Sequence, residues 1–183
     1  MGKFWFGLLL FFALAGGIFY KYFFDKTIFS KGTINFSVQE FGNGDLVPKK
    51  FTCDGQDVSP SFLIERVPGD AKSLVVILED IDRPATLTNS SFTHYILFNV
   101  DPEVGSIDQN TTPAGAVVGT NDFDKDEYNG PCPPVGSHKY VFKIFALDKE
   151  LSLDKNARRV DVDTAIKGHI IAKGEYNAEY SKI

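Results

Sequence analysis

From Gly32 onward the chain is patterned mostly at period two. Ile34, Phe36 and Val38 alternate with Asn35, Ser37 and Gln39, the signature of a strand with one buried face. Ser73–Glu79 (SLVVILE) is a continuous, largely β-branched run, which predicts a strand buried on both faces. Phe92–Val100 (FTHYILFNV) and His138–Leu147 (HKYVFKIFAL) are further aromatic-rich runs, with shorter candidates at Ser61–Glu65, Ala116–Val118 and Ala178–Ser181. Gly42-Asn43-Gly44-Asp45, Pro68-Gly69-Asp70 and Pro131 to Gly136 supply turns between them. One helix is predicted over Thr164–Lys173, capped by Asp163, with Ile166 and Ile170 on one face and Gly174 as its stop. That helix carries His169 on its flank in a helix–sheet contact. The elements add up to a mainly β fold, an antiparallel sandwich of two sheets with one or two peripheral helices, without repeats or an interdomain linker.

The N-terminal 24 residues stand apart from this domain. Phe4 to Tyr20 (FWFGLLLFFALAGGIFY) is an unbroken apolar and small-residue run after Lys3. As a helix it covers roughly 25 Å of a ~30 Å hydrocarbon slab, and Lys21 to Phe24 complete the span if the lysine snorkels. The same run reads as a signal peptide, with Phe4 to Phe12 as its apolar region and Ala13-Leu14-Ala15 before a cut at Gly16. The expected organisation is a hydrophobic helix over residues 1–24 (anchor or signal), a linker over 25–31, and a domain over 32–183. Lys21, Lys26 and Lys31 outnumber Lys3, which favours a cytoplasmic domain, whereas a three-residue head before a short apolar run is the form of an export signal. Export is the reading adopted: a membrane-anchored extracytoplasmic domain, or a secreted or periplasmic one after cleavage.

Charge narrows the partners. The chain holds 19 Lys and Arg against 24 Asp and Glu, and the first 31 residues hold four Lys and one acid, so the rest carries a net charge of −8. A nucleic-acid partner needs a basic field to neutralise phosphates, and this domain is acidic. Two cysteines, Cys53 and Cys132, form a disulfide or remain two small buried thiols; spacing does not choose between them.

Most catalytic motifs are missing. Gly42-Asn43-Gly44 runs into Asp45-Leu46-Val47-Pro48, which cannot open a helix, and neither GxSxG nor a P-loop is present. Asp122-Phe123-Asp124-Lys125-Asp126 starts like a calcium loop but has Glu127 where Gly is needed and Pro133 where the final Glu belongs, so it reads as a solvated acidic loop. The three histidines say more. Alternation puts His94 on one face with Ile96 and Phe98, and His138 on one face with Tyr140, Phe142 and Ile144. Singly, each is an ordinary core histidine. Together on neighbouring strands they place polar groups at the bottom of an apolar pocket, with Asp80 and Asp82 at the end of the Ser73–Glu79 strand to orient the imidazoles. Protonated imidazoles would read an anion.

These residues also carry a resemblance. Phe51-Thr52-Cys53-Asp54-Gly55 with Ser59-Pro60 resembles an FTCDG…SP segment, and Asp80-Ile81-Asp82-Arg83-Pro84 a DPDAP motif. Phe92-Thr93-His94-Tyr95 with Asn99 resembles a histidine strand, and Gly119-Thr120-Asn121 a GxN turn. Tyr128 to Tyr140 resembles a YxGPCPPxGxHRY stretch, followed by Phe145-Ala146-Leu147-Asp148 for YALD. The domain is thereby similar to the phosphatidylethanolamine-binding protein family, in its bacterial and archaeal Raf-kinase-inhibitor-like branch. The resemblance implies a β-sandwich whose end pocket binds phosphate, phospholipid headgroups and other small anions. Its ligands would be Asp80, His94, His138 and Tyr140, with Asp82 behind them and Gly130, Pro131 and Pro134 at the rim; it suggests no metal and no cofactor.

Departures from the pattern are Ile81 in place of proline and Arg83 in place of a small residue, the latter able to reach an anion at the mouth. Asp122, Asp124, Asp126 and Glu127 would favour a ligand with a cationic end if they line the mouth. The leading functional expectation is non-catalytic binding of a small phosphorylated or anionic ligand. Regulation by contact with a protein partner, a kinase or a protease, is the alternative. Enzymatic use of Asp80, His94 and His138 as a metal site, or of Cys132 as a nucleophile, ranks last. One optical test addresses the N-terminus: Trp5 is the single tryptophan, so mature protein cut after Ala15 is expected to show no tryptophan emission, and an anchored form to retain it.

Overall fold

In the computed structural model, residues 32–83 and 91–182 are described; the hydrophobic N-terminal segment and the linker expected over residues 1–31 lie outside them. Among the described residues no helix is long and apolar enough to cross a membrane. The strands are β1 (Gly32–Thr33), β2 (Asn35–Val38), β3 (Phe62–Glu65), β4 (Ser73–Asp80), β5 (Phe92–Val100), β6 (Ser106–Ile107), β7 (Val117–Val118), β8 (Ser137–Leu147) and β9 (Ile170–Ser181). A 3-10 turn spans Lys49–Phe51, and among the described residues one α-helix, α1, spans Arg159–Ile166.

Six strands form one sheet in the order β1-β9-β8-β4-β5-β7, and β2-β3-β6 form a second. All pairings are antiparallel except β1 with β9, a parallel contact at the edge that an all-antiparallel sandwich does not include.

The expectation for β4 holds, and its physical reason is visible. Leu74, Val76 and Leu78 join Phe36, Phe62 and Ile64 in the core between the sheets, while Val75 and Ile77 join Leu147, Leu151, Val162 and Ile166 beneath α1. With both faces covered, no position in the strand is left for a solvent-facing residue. Phe92–Val100 and His138–Leu147 are strands as predicted.

The predicted helix over Thr164–Lys173 is displaced. Val162 and Ile166 are the buried i, i+4 pair of α1, which ends at Gly168 with φ of +83°. From Ile170 the chain is β9, where Ala172, Gly174, Tyr176 and Ala178 are buried and Lys173, Glu175 and Asn177 are exposed. The Ile166–Ile170 spacing imitated a helix across a turn, and the strand extends well before Ala178. His169 is therefore not on a helix flank but in the exposed turn, where its Nδ1 donates to Asp148 Oδ1 at 2.8 Å.

Under α1 lies a buried charge cluster that fixes the helix to the large sheet. Glu79 is 2% exposed and accepts from Arg159 of α1, from Lys143 Nζ at 3.1 Å and from Ser91 Oγ at 2.7 Å. Burial raises the Glu79 pKa, but Arg159, Ser91 and Lys143 outweigh it and hold the carboxyl below its usual range. The native state thus binds its proton more weakly than the unfolded chain, so this contribution to stability is present above about pH 4.5 and is lost as the pH falls through the lowered value. Glu79→Ala leaves Lys143 without this partner and Arg159 with Asp163 alone beneath the helix, and is expected to cost about 3–5 kcal/mol in urea unfolding at neutral pH. The variant's stability should also be flatter with acid below about pH 4.5 than that of the wild type; equal acid slopes would refute the assignment.

Candidate functional site

At the end of the large sheet, Asp80, His94, His138 and Tyr140 come together. Asp80 closes β4, and its Cα partners are Tyr140 on β8 and Phe92 on β5. Its carboxylate is fully buried. Oδ1 accepts the backbone N–H groups of Asp82 and Arg83 at 3.0 and 2.9 Å, which folds the turn after the strand, and Oδ2 accepts His138 Nδ1–H at 2.7 Å. Asp82 is exposed and accepts the Lys139 backbone N–H at 2.8 Å, so it ties the turn to β8 from behind.

His94 does not share a face with Ile96 and Phe98. Leu78 pairs with Tyr95 but Glu79 pairs with Thr93, so β5 contains one extra residue, His94, at this point. Ile96 and Phe98 face the α1 side, whereas the bulge turns His94 toward Tyr140, with ring centroids 5.3 Å apart. Strict alternation failed here because it has no term for an inserted residue.

The ring of His94 is fixed from the back. Its Nδ1 lies 2.9 Å from the Asn129 carbonyl oxygen and 3.0 Å from that of Gly130. The Gly130 N–H donates to Asp57 Oδ1 at 2.6 Å, and Asn121 Nδ2 donates to His94 O and to Asn129 Oδ1. A Cβ on Gly130 would stand 2.0 Å from the Phe51 carbonyl oxygen, so only glycine permits this approach. Cys53 and Cys132 are joined in a disulfide, and Cys53 N–H donates to Pro131 O at 3.2 Å, which fastens the loop to the segment after the 3-10 turn. Pro131 is buried in this wall, while Pro134 is exposed.

Aromatic rings enclose the rest. Phe92 and Phe123 lie 5.4 and 5.2 Å from the His94 ring. The Arg83 guanidinium stacks on Phe92 at 3.8 Å from the ring centre, close enough to His94 for its charge to act on that ring. The acidic loop supplies Phe123 to this enclosure, and its carboxylates have local partners. Asp122 accepts Thr93 N–H, Asp124 pairs with Arg158, Asp126 accepts from Thr120 and Glu127 pairs with Lys125. Asp57, Phe123 and Asn129 escaped the sequence reading. Asp57, with φ of +55°, and Asn129 act through backbone contacts, which side-chain motifs do not reveal.

Two polar atoms in the cluster are buried and short of partners: among the described residues His94 Nε2 has none, and Tyr140 Oη has none in good geometry, with the Asp80 carboxylate and the Cys132 backbone close to it. Each such group costs about 1–3 kcal/mol unless something satisfies it. Burial pushes the His94 pKa below its ordinary value, with Arg83 acting in the same direction and the two carbonyls and Asp80 opposing. Burial, reinforced by the Asp80 charge, pushes the Tyr140 phenol far above its usual range, so it keeps its proton. Among the described residues no three His, Cys, Asp or Glu side chains are grouped to hold a metal ion. A separate cleft of about 530 Å³ lies at the opposite end of β4, beside Lys72, Asp101, Glu103 and Glu150, all solvent-exposed.

Because His94 is held neutral in the folded protein, the unfolded chain takes up the proton first on acidification. Stability linked to His94 is therefore complete above about pH 6.5 and declines as the pH falls below it, by up to about 1.4 kcal/mol per unit of pKa lowering. The stability advantage of wild type over His94→Gln, read from urea midpoints, is expected to shrink between about pH 7.5 and pH 5.5. A constant difference across that interval would exclude a neutral His94.

Comparison with known proteins identifies the family. A family model described as phosphatidylethanolamine-binding protein matches residues 37–181. A UPF0098 protein of Methanothermobacter thermautotrophicus is 35% identical over 154 residues, which cover 81% of this chain and 99% of that protein. Among solved structures, the phosphatidylethanolamine-binding protein homologue CT736 of Chlamydia trachomatis aligns with a TM-score of 0.77 at 35% identity, over 83% of this chain and 99% of its own. Escherichia coli YbcL, described as a member of the mammalian PEBP family, aligns with a TM-score of 0.76 at 28% identity, over 83% of this chain and all of its own. Family model, relatives and solved structures converge, and the chain belongs to the phosphatidylethanolamine-binding protein family.

Proposed function

We propose that this protein binds a small phosphorylated or anionic ligand, without chemical conversion, at the cluster of Asp80, His94, His138 and Tyr140. The observation that carries the reading is His94 Nε2, buried and unpartnered among the described residues, with Tyr140 Oη and the Asp80–His138 pair close by. Buried polar groups without protein partners are where a ligand gains most, since no internal bond must be broken to admit it. The Arg83 guanidinium close to His94 adds a positive charge that favours an anion. Nothing in the cluster is set up as a nucleophile: Cys132 is consumed in the disulfide, and Tyr140 retains its proton.

Export of the domain is part of the same proposal. The Cys53–Cys132 bond favours an oxidising compartment, in line with the apolar run over Phe4–Tyr20.

Regulation through a protein partner is the second reading, and one feature favours it. Ile81 and Val135, in the turns on either side of the β4–β8 end, are 43% and 76% exposed. A partner seated there would engage the protein independently of the cluster.

NMR of the two ring systems separates the readings. Phosphate is expected to shift the His94 and His138 ring signals saturably and to leave His169, in its distant turn, unmoved. His138→Ala should weaken phosphate at least about tenfold, in keeping with loss of one charge-assisted contact. Unmoved histidine signals at millimolar phosphate would dismiss ligand binding here and favour the partner reading, whose own mark is capture that Ile81→Ser with Val135→Ser abolishes.

A further inference from the structure

We infer that the cluster selects oxyanions that bring a proton with them: phosphate and phosphate monoesters are taken, while sulfate and phosphodiesters, including intact phospholipid headgroups, are disfavoured. The inference rests on the ligand-binding reading above and narrows its substrate class.

It begins with the back of the His94 ring. The two groups at Nδ1 are the main-chain carbonyl oxygens of Asn129 and Gly130, at 2.9 and 3.0 Å. Carbonyl oxygens only accept, so Nδ1 must carry the proton. Those carbonyls cannot turn away to admit the other tautomer, because Asp57 holds Gly130 N–H, Asn121 holds Asn129 Oδ1, and the Cys53–Cys132 bond closes the loop beside them. In the neutral ring, Nε2 is then a bare lone pair. It is buried, and among the described residues nothing donates to it.

The remaining groups define what complements that lone pair. Tyr140 Oη keeps its hydrogen, with the Asp80 carboxylate as the acceptor at hand, and can turn it to a ligand oxygen. His138 gives its Nδ1 hydrogen to Asp80, and the Asp80 carboxylate stays close to both Tyr140 and His94. The charged and titratable groups facing His94 are Asp80 and Arg83 from β4 and its turn, and Tyr140 from β8, with His138 joined through Asp80. On the loop side, Asp57 and Asp122 are committed to the backbone N–H groups of Gly130 and Thr93. Arg83 opposes protonation of His94, Asp80 favours it, and burial outweighs both.

A fully deprotonated oxyanion presents lone pairs only, and one of them would meet the lone pair on Nε2. A ligand that bears a P–OH instead donates to Nε2 while its other oxygens accept from Tyr140. Should the ligand arrive as a dianion, His94 must take up a proton for the contact to form. Either route binds one proton together with the anion. Phosphate monoesters, with a second pKa of about 6, hold or recover that proton near neutrality. Sulfate and phosphodiesters carry none there and are weak bases, so the whole cost of charging a buried imidazole falls on them.

The experiment is isothermal titration of the full-length chain with inorganic phosphate, phosphoethanolamine, sulfate and glycerophosphoethanolamine. It is run at about pH 6 and about pH 8, in two buffers of different ionisation enthalpy. Phosphate and phosphoethanolamine are expected to bind, each weakening toward about tenfold per pH unit once the pH exceeds that ligand's own second pKa, with uptake of one proton there. Sulfate and the diester should bind at least about tenfold more weakly at pH 6. His94→Gln can present an amide donor in place of the lone pair and should accept sulfate and phosphate alike, with the pH slope gone. Should that variant not fold, proton uptake by the wild-type protein decides the matter alone. Equal binding of all four ligands without proton uptake overturns the selectivity and leaves ligand binding standing; binding of none overturns both.

Discussion

One inserted residue in β5 sets the geometry on which the rest of the site depends. With strict pairing, position 94 would fall on the side of Ile96 and Phe98, packed beneath α1, and Tyr140 would have no imidazole beside it. The bulge moves that ring to the inner face and leaves main-chain groups at Thr93 and His94 without strand partners. The following loop takes them up: Asp122 bonds both the N–H and the C=O of Thr93, and Asn121 and Asn129 donate to His94 O. Bulge and loop therefore require each other, since buried backbone groups must be paired.

The loop in turn is held by the 3-10 turn and the segment that follows it. Tyr128 Oη donates to Phe51 O, Gly130 is bonded by Asp57, and Cys132 is bonded to Cys53. These ties are made by short polar contacts and one covalent bond to the segment after the 3-10 turn. They give the back wall of the cluster little freedom to adjust to a ligand. Recognition then follows from a preset pattern of donors and acceptors, the circumstance in which hydrogen-bonding sites discriminate most strongly.

Two adjacent carboxylates on β4 show how face decides role. Glu79 points beneath α1, where two cations and a hydroxyl satisfy it and it serves as a structural anchor. Asp80 points to the other face, where it orders a turn with one oxygen and orients His138 with the other. The first arrangement is closed. The second leaves His94 Nε2 buried and unpartnered close by, at a cost to stability.

Much of this was legible in the sequence. The SLVVILE run implied a strand covered on both faces, because burial of every side chain forces an apolar residue at every position. The motif spacing from Phe51 to Asp148 identified the family, and strand alternation placed His138 with Tyr140 correctly. Local pattern could not place α1, since Ile166 and Ile170 keep helical spacing across a turn that Gly168 makes possible. Nor could it choose between thiols and a disulfide for Cys53 and Cys132, because chain separation carries no distance. The inner position of His94 and its tautomer were decided only by the fold. Both follow from contacts among β4, β5 and the 121–132 loop, and a one-residue register shift leaves no mark in a periodicity that assumes perfect pairing.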